Sequence, residues 1–163
     1  MPGQRSKRTV PTGVVMNSHK VTRLPLFLGA LLISGSGIAH EATGALGANA
    51  RFVDYYQVTC SDDGSGAPAS LLVQIRDNAP AAAPLLEVVV HKGIVASGVN
   101  AAAADPGVFS TPIAVNGTAG VFNVFVRKTG AAAENYTLSS HCMTGANGTG
   151  LHTGTDVVLR QNQ

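Results

Sequence analysis

The groups in this 163-residue chain that could do chemistry are five histidines, two cysteines and nine acidic residues. His141 and Met143 flank Cys142. On a strand, alternate residues share a face, so His141 and Met143 point one way and Cys142 the other. Imidazole and thioether together suit copper, Cu(I) above all, and His91 and His152 are the further imidazoles that could join them in space. A solvated histidine beside a packing methionine is the plainer reading of the same residues, and no tightly spaced metal motif such as H-E-x-x-H occurs. Asp62, Asp63 and Asp77 could supply the hard oxygens that calcium takes. The run Asp62-Asp63-Gly64-Ser65-Gly66 lacks the alternating ligands and closing Glu of an EF-hand loop, and an ordinary hairpin turn explains it as well. Tyr55 and Phe125 fall opposite the expected core faces, where flat rings stack on sugars or other apolar ligands. A covering layer or loop is the alternative for them, and the chain has no Trp. Nucleophilic catalysis finds no support. There is no G-x-S-x-G elbow, and neighbours on a strand such as His141 and Cys142 cannot form a dyad. The chain reads as non-catalytic, with no cofactor required.

The elements that must position these residues are strands. Apolar and polar residues alternate with period two over 51–60, 70–76, 85–92, 108–115, 120–128, 135–143 and 155–160. Between them stand turn residues: Asp62-Asp63-Gly64, Asp77-Asn78-Ala79-Pro80, Asp105-Pro106-Gly107, Asn116-Gly117 and Ala146-Asn147-Gly148. The alanine runs 81–83, 101–104 and 131–133 are too short to hold a helix alone. About seven short strands and no long helix predict an all-β fold, an antiparallel β-sandwich of jelly-roll type. The alternation places Phe52, Tyr56, Val58, Cys60, Leu71, Val73, Ile75, Leu86, Val88, Val90, Phe122, Val124, Val126, Tyr136, Leu138 and Cys142 in its core.

The compartment follows from the start of the chain. Residues 16–39 have a basic opening (His19, Lys20, Arg23), the apolar run 24–33 and the small-residue stretch 34–39. This is the pattern of a cleaved secretory signal over 1–39, with Met16 as a second possible start. The ten-residue apolar core is about half of what a membrane-spanning helix needs. Cleavage after Ala39 leaves Gly37 and Ala39 at the positions that favour small residues, while Ala48-Asn49-Ala50 is a cleaner small-residue site farther on. Residues 40–50 then read as a flexible lead-in to a single domain over 51–163. Five of the eleven basic residues and none of the nine acidic ones lie in 1–39, so the remainder carries six against nine, a formal charge of −3. That balance excludes a basic surface for nucleic acid or an anionic membrane. Two cysteines in a secreted or periplasmic chain are expected to pair, here Cys60 with Cys142.

The order of these pieces resembles the bacterial pre-peptidase C-terminal domain. The matching pieces are Asp54-Tyr55-Tyr56-Gln57-Val58, the apolar strand 85–92 ending in Gly93, Gly120-Val121-Phe122-Asn123-Val124-Phe125-Val126 and Asn135-Tyr136-Thr137-Leu138. The resemblance covers about 52–142. It implies a secreted jelly-roll-like sandwich of the kind appended to hydrolases as a non-catalytic module for export or substrate binding, although no catalytic partner accompanies it here. Three functions are therefore expected to compete. The first is a binding or accessory module for an extracellular polymer, surface or protein. The second is a small periplasmic copper protein using His141, Met143 and a further His. The third is a structural subunit assembling through exposed strand edges.

Overall fold

The period-two segments become strands, and two segments without a clear alternation join them. The computed structural model describes residues 40–78, 84–102 and 107–163; the signal expected over 1–39 and the alanines 81–83 lie outside these. The strands are β1 (His40–Leu46), β2 (Asp54–Ser61), β3 (Ser70–Asn78), β4 (Leu86–Lys92), β5 (Val95–Asn100), β6 (Ile113–Asn116), β7 (Gly120–Lys128), β8 (Glu134–Met143) and β9 (His152–Gln161). No helix among the described residues is long and apolar enough to cross a membrane.

All pairings are antiparallel, in the order β5-β4-β7-β2-β9-β8-β3-β6, with β1 added on β8. One edge of β8 is taken by β3. The other edge is shared end to end: β1 pairs with Glu134–Ser140, and the first two residues of β9 pair with Cys142 and Met143. From Gly154 on, β9 leaves β8 and pairs with β2. It thus joins a β1-β8-β3-β6 layer to a β5-β4-β7-β2 layer. At the opposite side β5 and β6 run close to each other, so the sheet is nearly closed as a barrel.

The two inner faces form one core, in which Tyr56, Tyr136, Phe122, Leu71, Ile75, Leu86 and Leu138 are among the largest buried side chains. Every expected core residue is buried except Phe52, which packs partly buried against the rest. Cys60 and Cys142 form the expected disulfide, with Cα atoms 5.5 Å apart, at the point where β9 changes layers. Thr155 of β9 accepts a hydrogen bond from the Cys142 amide at 2.9 Å beside it. A buried polar chain crosses the core as well. Tyr136 Oη donates to Asp54 Oδ2 at 2.5 Å and lies 2.8 Å from Tyr56 Oη, which can then donate to it. Burial and the adjacent carboxylate hold the Tyr136 hydroxyl protonated far above its ordinary range.

Three expectations are corrected. There are nine strands rather than seven, because β1 and the hairpin strand β5 also pair. Residues 40–46 are not a flexible lead-in: their small side chains suit a strand laid under Tyr136, and Leu46 is 1% exposed in the core. The strand expected over 108–115 is shortened to Ile113–Asn116, with Phe109 making one isolated bridge to Arg76. Pro112 lacks the N–H that a ladder needs and separates the two pieces.

Candidate functional site

The two strands sharing the edge of β8 each carry a histidine at their first described residue, and one of these, His152, meets both the other and a third on β8 itself. His40 opens β1 opposite Ser140, and His152 opens β9 opposite Met143. The His40 ring stacks on His152 with centroids 5.7 Å apart and an interplanar angle of 19°. His141 meets the same His152 ring edge-on at 5.1 Å and 75°. The β8–β9 connection that returns His152 is pinned at several points. Ser70 Oγ donates to the Gly145 carbonyl at 2.6 Å, Gly148 N donates to Ser70 Oγ at 3.0 Å, and Asn147 N donates to Asn116 Oδ1 at 2.7 Å.

Second partners orient two of the rings. His141 Nε2 shares a hydrogen bond with Ser139 Oγ at 3.0 Å, and His152 Nε2 shares one with Thr155 Oγ1 at 3.3 Å. His40 Nδ1 and its register neighbour Ser140 Oγ are both buried without a hydrogen-bond partner. Buried polar atoms are normally satisfied, so two orphans at one spot call for an explanation. Burial pushes the His141 pKa down, and the positive charge that His152 and His40 can carry pushes the same way, against a smaller opposing pull from Glu41. The neutral imidazole so favoured is the form that binds metals.

Imidazoles bound to one ion at nitrogen distances of about 2.0–2.1 Å have centroids roughly 4.5–6 Å apart by ligand geometry alone. Both observed separations lie in that range. Among the described residues, however, no group of three or more His, Cys, Asp or Glu side chains stands where it could hold a metal ion. Two of the three ring separations are those of ligands on one ion, and sharing an ion would require the rings to turn about their side-chain bonds.

Of the histidines and methionine singled out in the sequence, His141 and His152 come together, and Met143 faces His152 across the register. His91 does not join them. It lies on β4 in the other layer, stacked on Phe125 at 5.8 Å and 11°. His40 takes the place expected for it. The signal was present in the sequence, since His40 directly follows Ala39, but a lead-in carried no expectation of a strand.

Tyr55 and Phe125 are cross-strand partners on the outer face of the second layer, stacked at 4.9 Å and 13°. With His91 they make a three-ring ladder across β2, β7 and β4. Tyr55 Oη donates to Asn123 Oδ1 at 2.6 Å and accepts from Gln57 Nε2 at 2.9 Å. The ring faces lie on each other, so a flat ligand finds free ring surface only at the ladder's ends. Beside it is a shallow depression lined by Val53, Val89, Phe125 and Arg127.

The three aspartates do not converge. Asp62 Oδ1 accepts from the Gly64 and Gly66 amides, and Asp63 Oδ1 from the Ser65 amide, which is turn chemistry. Asp77 sits near the opposite end of β3 from that turn, 3% exposed, and its charge helps to raise the Glu134 pKa. Comparison with known protein families, with curated protein sequences and with solved structures found no match for this chain.

Proposed function

We propose that this chain is an exported, non-catalytic β-sandwich that binds a transition metal, copper before others, through His40, His141 and His152. The observation that carries this reading is the meeting of three imidazoles from three strands at one edge, with the His40 Nδ1 atom buried and unpartnered. Imidazole sites favour late first-row metals, and copper tops the order of affinity for divalent ions. Met143 beside His152 offers a thioether for the reduced ion. The test is the metal content of untagged protein recovered from outside the cytoplasm. The reading expects stoichiometric copper that is lost in His152→Ala and His141→Ala and kept in His91→Ala. Copper content equal in all four proteins contradicts it.

A second reading is a binding module for an extracellular polymer or protein, as the pre-peptidase-type resemblance implies, and the outer face with its Tyr55–Phe125–His91 ladder favours it. Retention on immobilised polysaccharides that Tyr55→Ala abolishes supports that reading. A structural subunit built by edge pairing has less in its favour, because β5 and β6 face each other across the near-closure.

A further inference from the structure

We infer that the metal site is completed by removal of the leader: hydrolysis of the Ala39–His40 bond turns His40 into the amino-terminal residue, and its free α-amine and Nδ1 then chelate Cu(II), with His141 and His152 supplying further nitrogens. This rests on the metal-binding reading above and adds a ligand that side chains alone do not provide.

The position of the cut is argued from the fold. Of the two small-residue sites, cleavage after Ala50 would remove β1 entirely. That would uncover the β8 edge at Glu134–Ser140 and take Leu46 out of the core. It would also strip the cover from Tyr136, whose ring lies so close over Gly44 that a Cβ there would come within 2.3 Å of it. Cleavage after Ala39 instead leaves all of His40–Leu46 in place on β8.

The chemistry then follows from atoms on one residue. The α-amine, Cα, Cβ, Cγ and Nδ1 of an amino-terminal histidine close a six-membered ring with a bound ion. His40 Nδ1 is the ring nitrogen found buried and unpartnered. Its neighbours across the strand edge are His152 and, beyond it, His141. Amine and imidazole nitrogens in a near-planar set are a Cu(II) environment. The amine enters as –NH2, so each ion bound near neutral pH displaces the proton of the ammonium group. A chain that keeps residues before His40 has an amide nitrogen in place of the amine, and the chelate is not formed.

The experiment compares two forms with Cu(II) alone as the probe, titrated against a chromophoric chelator. One begins at His40 with a free amine. The other carries a short extension before His40 closed by a pyroglutamyl residue, which has no amine. Equal melting temperatures without metal establish that both fold. The inference expects the first form to bind one equivalent at least about 100-fold more tightly, because the amine is tethered beside the ring nitrogen. It also expects the protein exported by cells to have the mass of a chain starting at His40. Equal affinity in the two forms, both above that of His152→Ala, overturns the chelate and leaves the three-histidine reading standing. Affinity in both forms no higher than in His152→Ala overturns both. An exported chain starting at another residue overturns the chelate as well.

Discussion

Glu134 is 2% exposed and keeps one carboxylate oxygen without a partner, as does the buried Asp77, whose charge reaches it. Burial raises the Glu134 pKa, the Asp77 charge raises it further, and Lys128 opposes them. A carboxyl whose folded pKa lies above its unfolded value, about 4.3 for Glu, binds its proton more tightly in the native state. Its contribution to stability is therefore complete below the unfolded pKa and is lost as pH rises through the raised folded value. Glu134→Gln removes the charge and should melt about 2–5 °C higher at pH 7, with the gap closing on acidification. Thermal melts of both proteins from pH 4 to 8 check this, and a variant less stable at every pH contradicts it. Gly44→Ala should do the reverse, costing about 1–3 kcal/mol in chemical denaturation because its methyl group meets the Tyr136 ring. At this scale the core was legible, because inward positions such as Val73 and Val124 are set by strict alternation. The histidine site was legible in part. His141 and His152 are separated by a short connection that a hairpin closes, whereas His40 meets His152 only through pairing of β1 with β8, a contact across about a hundred residues that no local pattern records.

β9 has the most consequential path among the elements. It begins on β8 and finishes on β2, and the Cys60–Cys142 bridge ties those two strands together across the changeover. Closing a loop with a sequence separation of 82 should contribute about 4 kcal/mol by restricting the unfolded chain. Reduction, or the double change Cys60→Ser with Cys142→Ser, should lower the melting temperature by about 10 °C or more. An unchanged melt contradicts that assignment of stability. The bridge was readable because both cysteines close core-facing runs near strand ends. β1 and β5 were not readable. The sequence of β1, His-Glu-Ala-Thr-Gly-Ala-Leu, is built of small residues because Tyr136 occupies the space above it. β5, Val-Ala-Ser-Gly-Val-Asn, resembles a loop and is a strand because Gly93, at φ 60°, turns the chain back directly onto β4. A chain starting at residue 51 therefore lacks a strand rather than a tail. It should self-associate through the bared β8 edge, as size-exclusion chromatography would reveal.

The whole molecule separates its two candidate faces between two layers. The histidines sit where β1, β8 and β9 meet, and the aromatic ladder sits across β2, β7 and β4. Changes to one face should leave the other unaffected. Tyr55→Ala with Phe125→Ala should weaken the fold by about 1 kcal/mol through loss of a cross-strand ring pair, yet leave copper uptake as it was. The acidic balance of residues 40–163 fits a protein that meets a cation rather than a polyanion. The most direct measurement is the long-range proton–nitrogen NMR spectrum of the histidine side chains during Cu(II) addition. The account predicts that, at one equivalent, paramagnetic broadening erases the imidazole signals of His40, His141 and His152 while that of His91 persists. Loss of the His91 signal first, or equal broadening of all four, would contradict it.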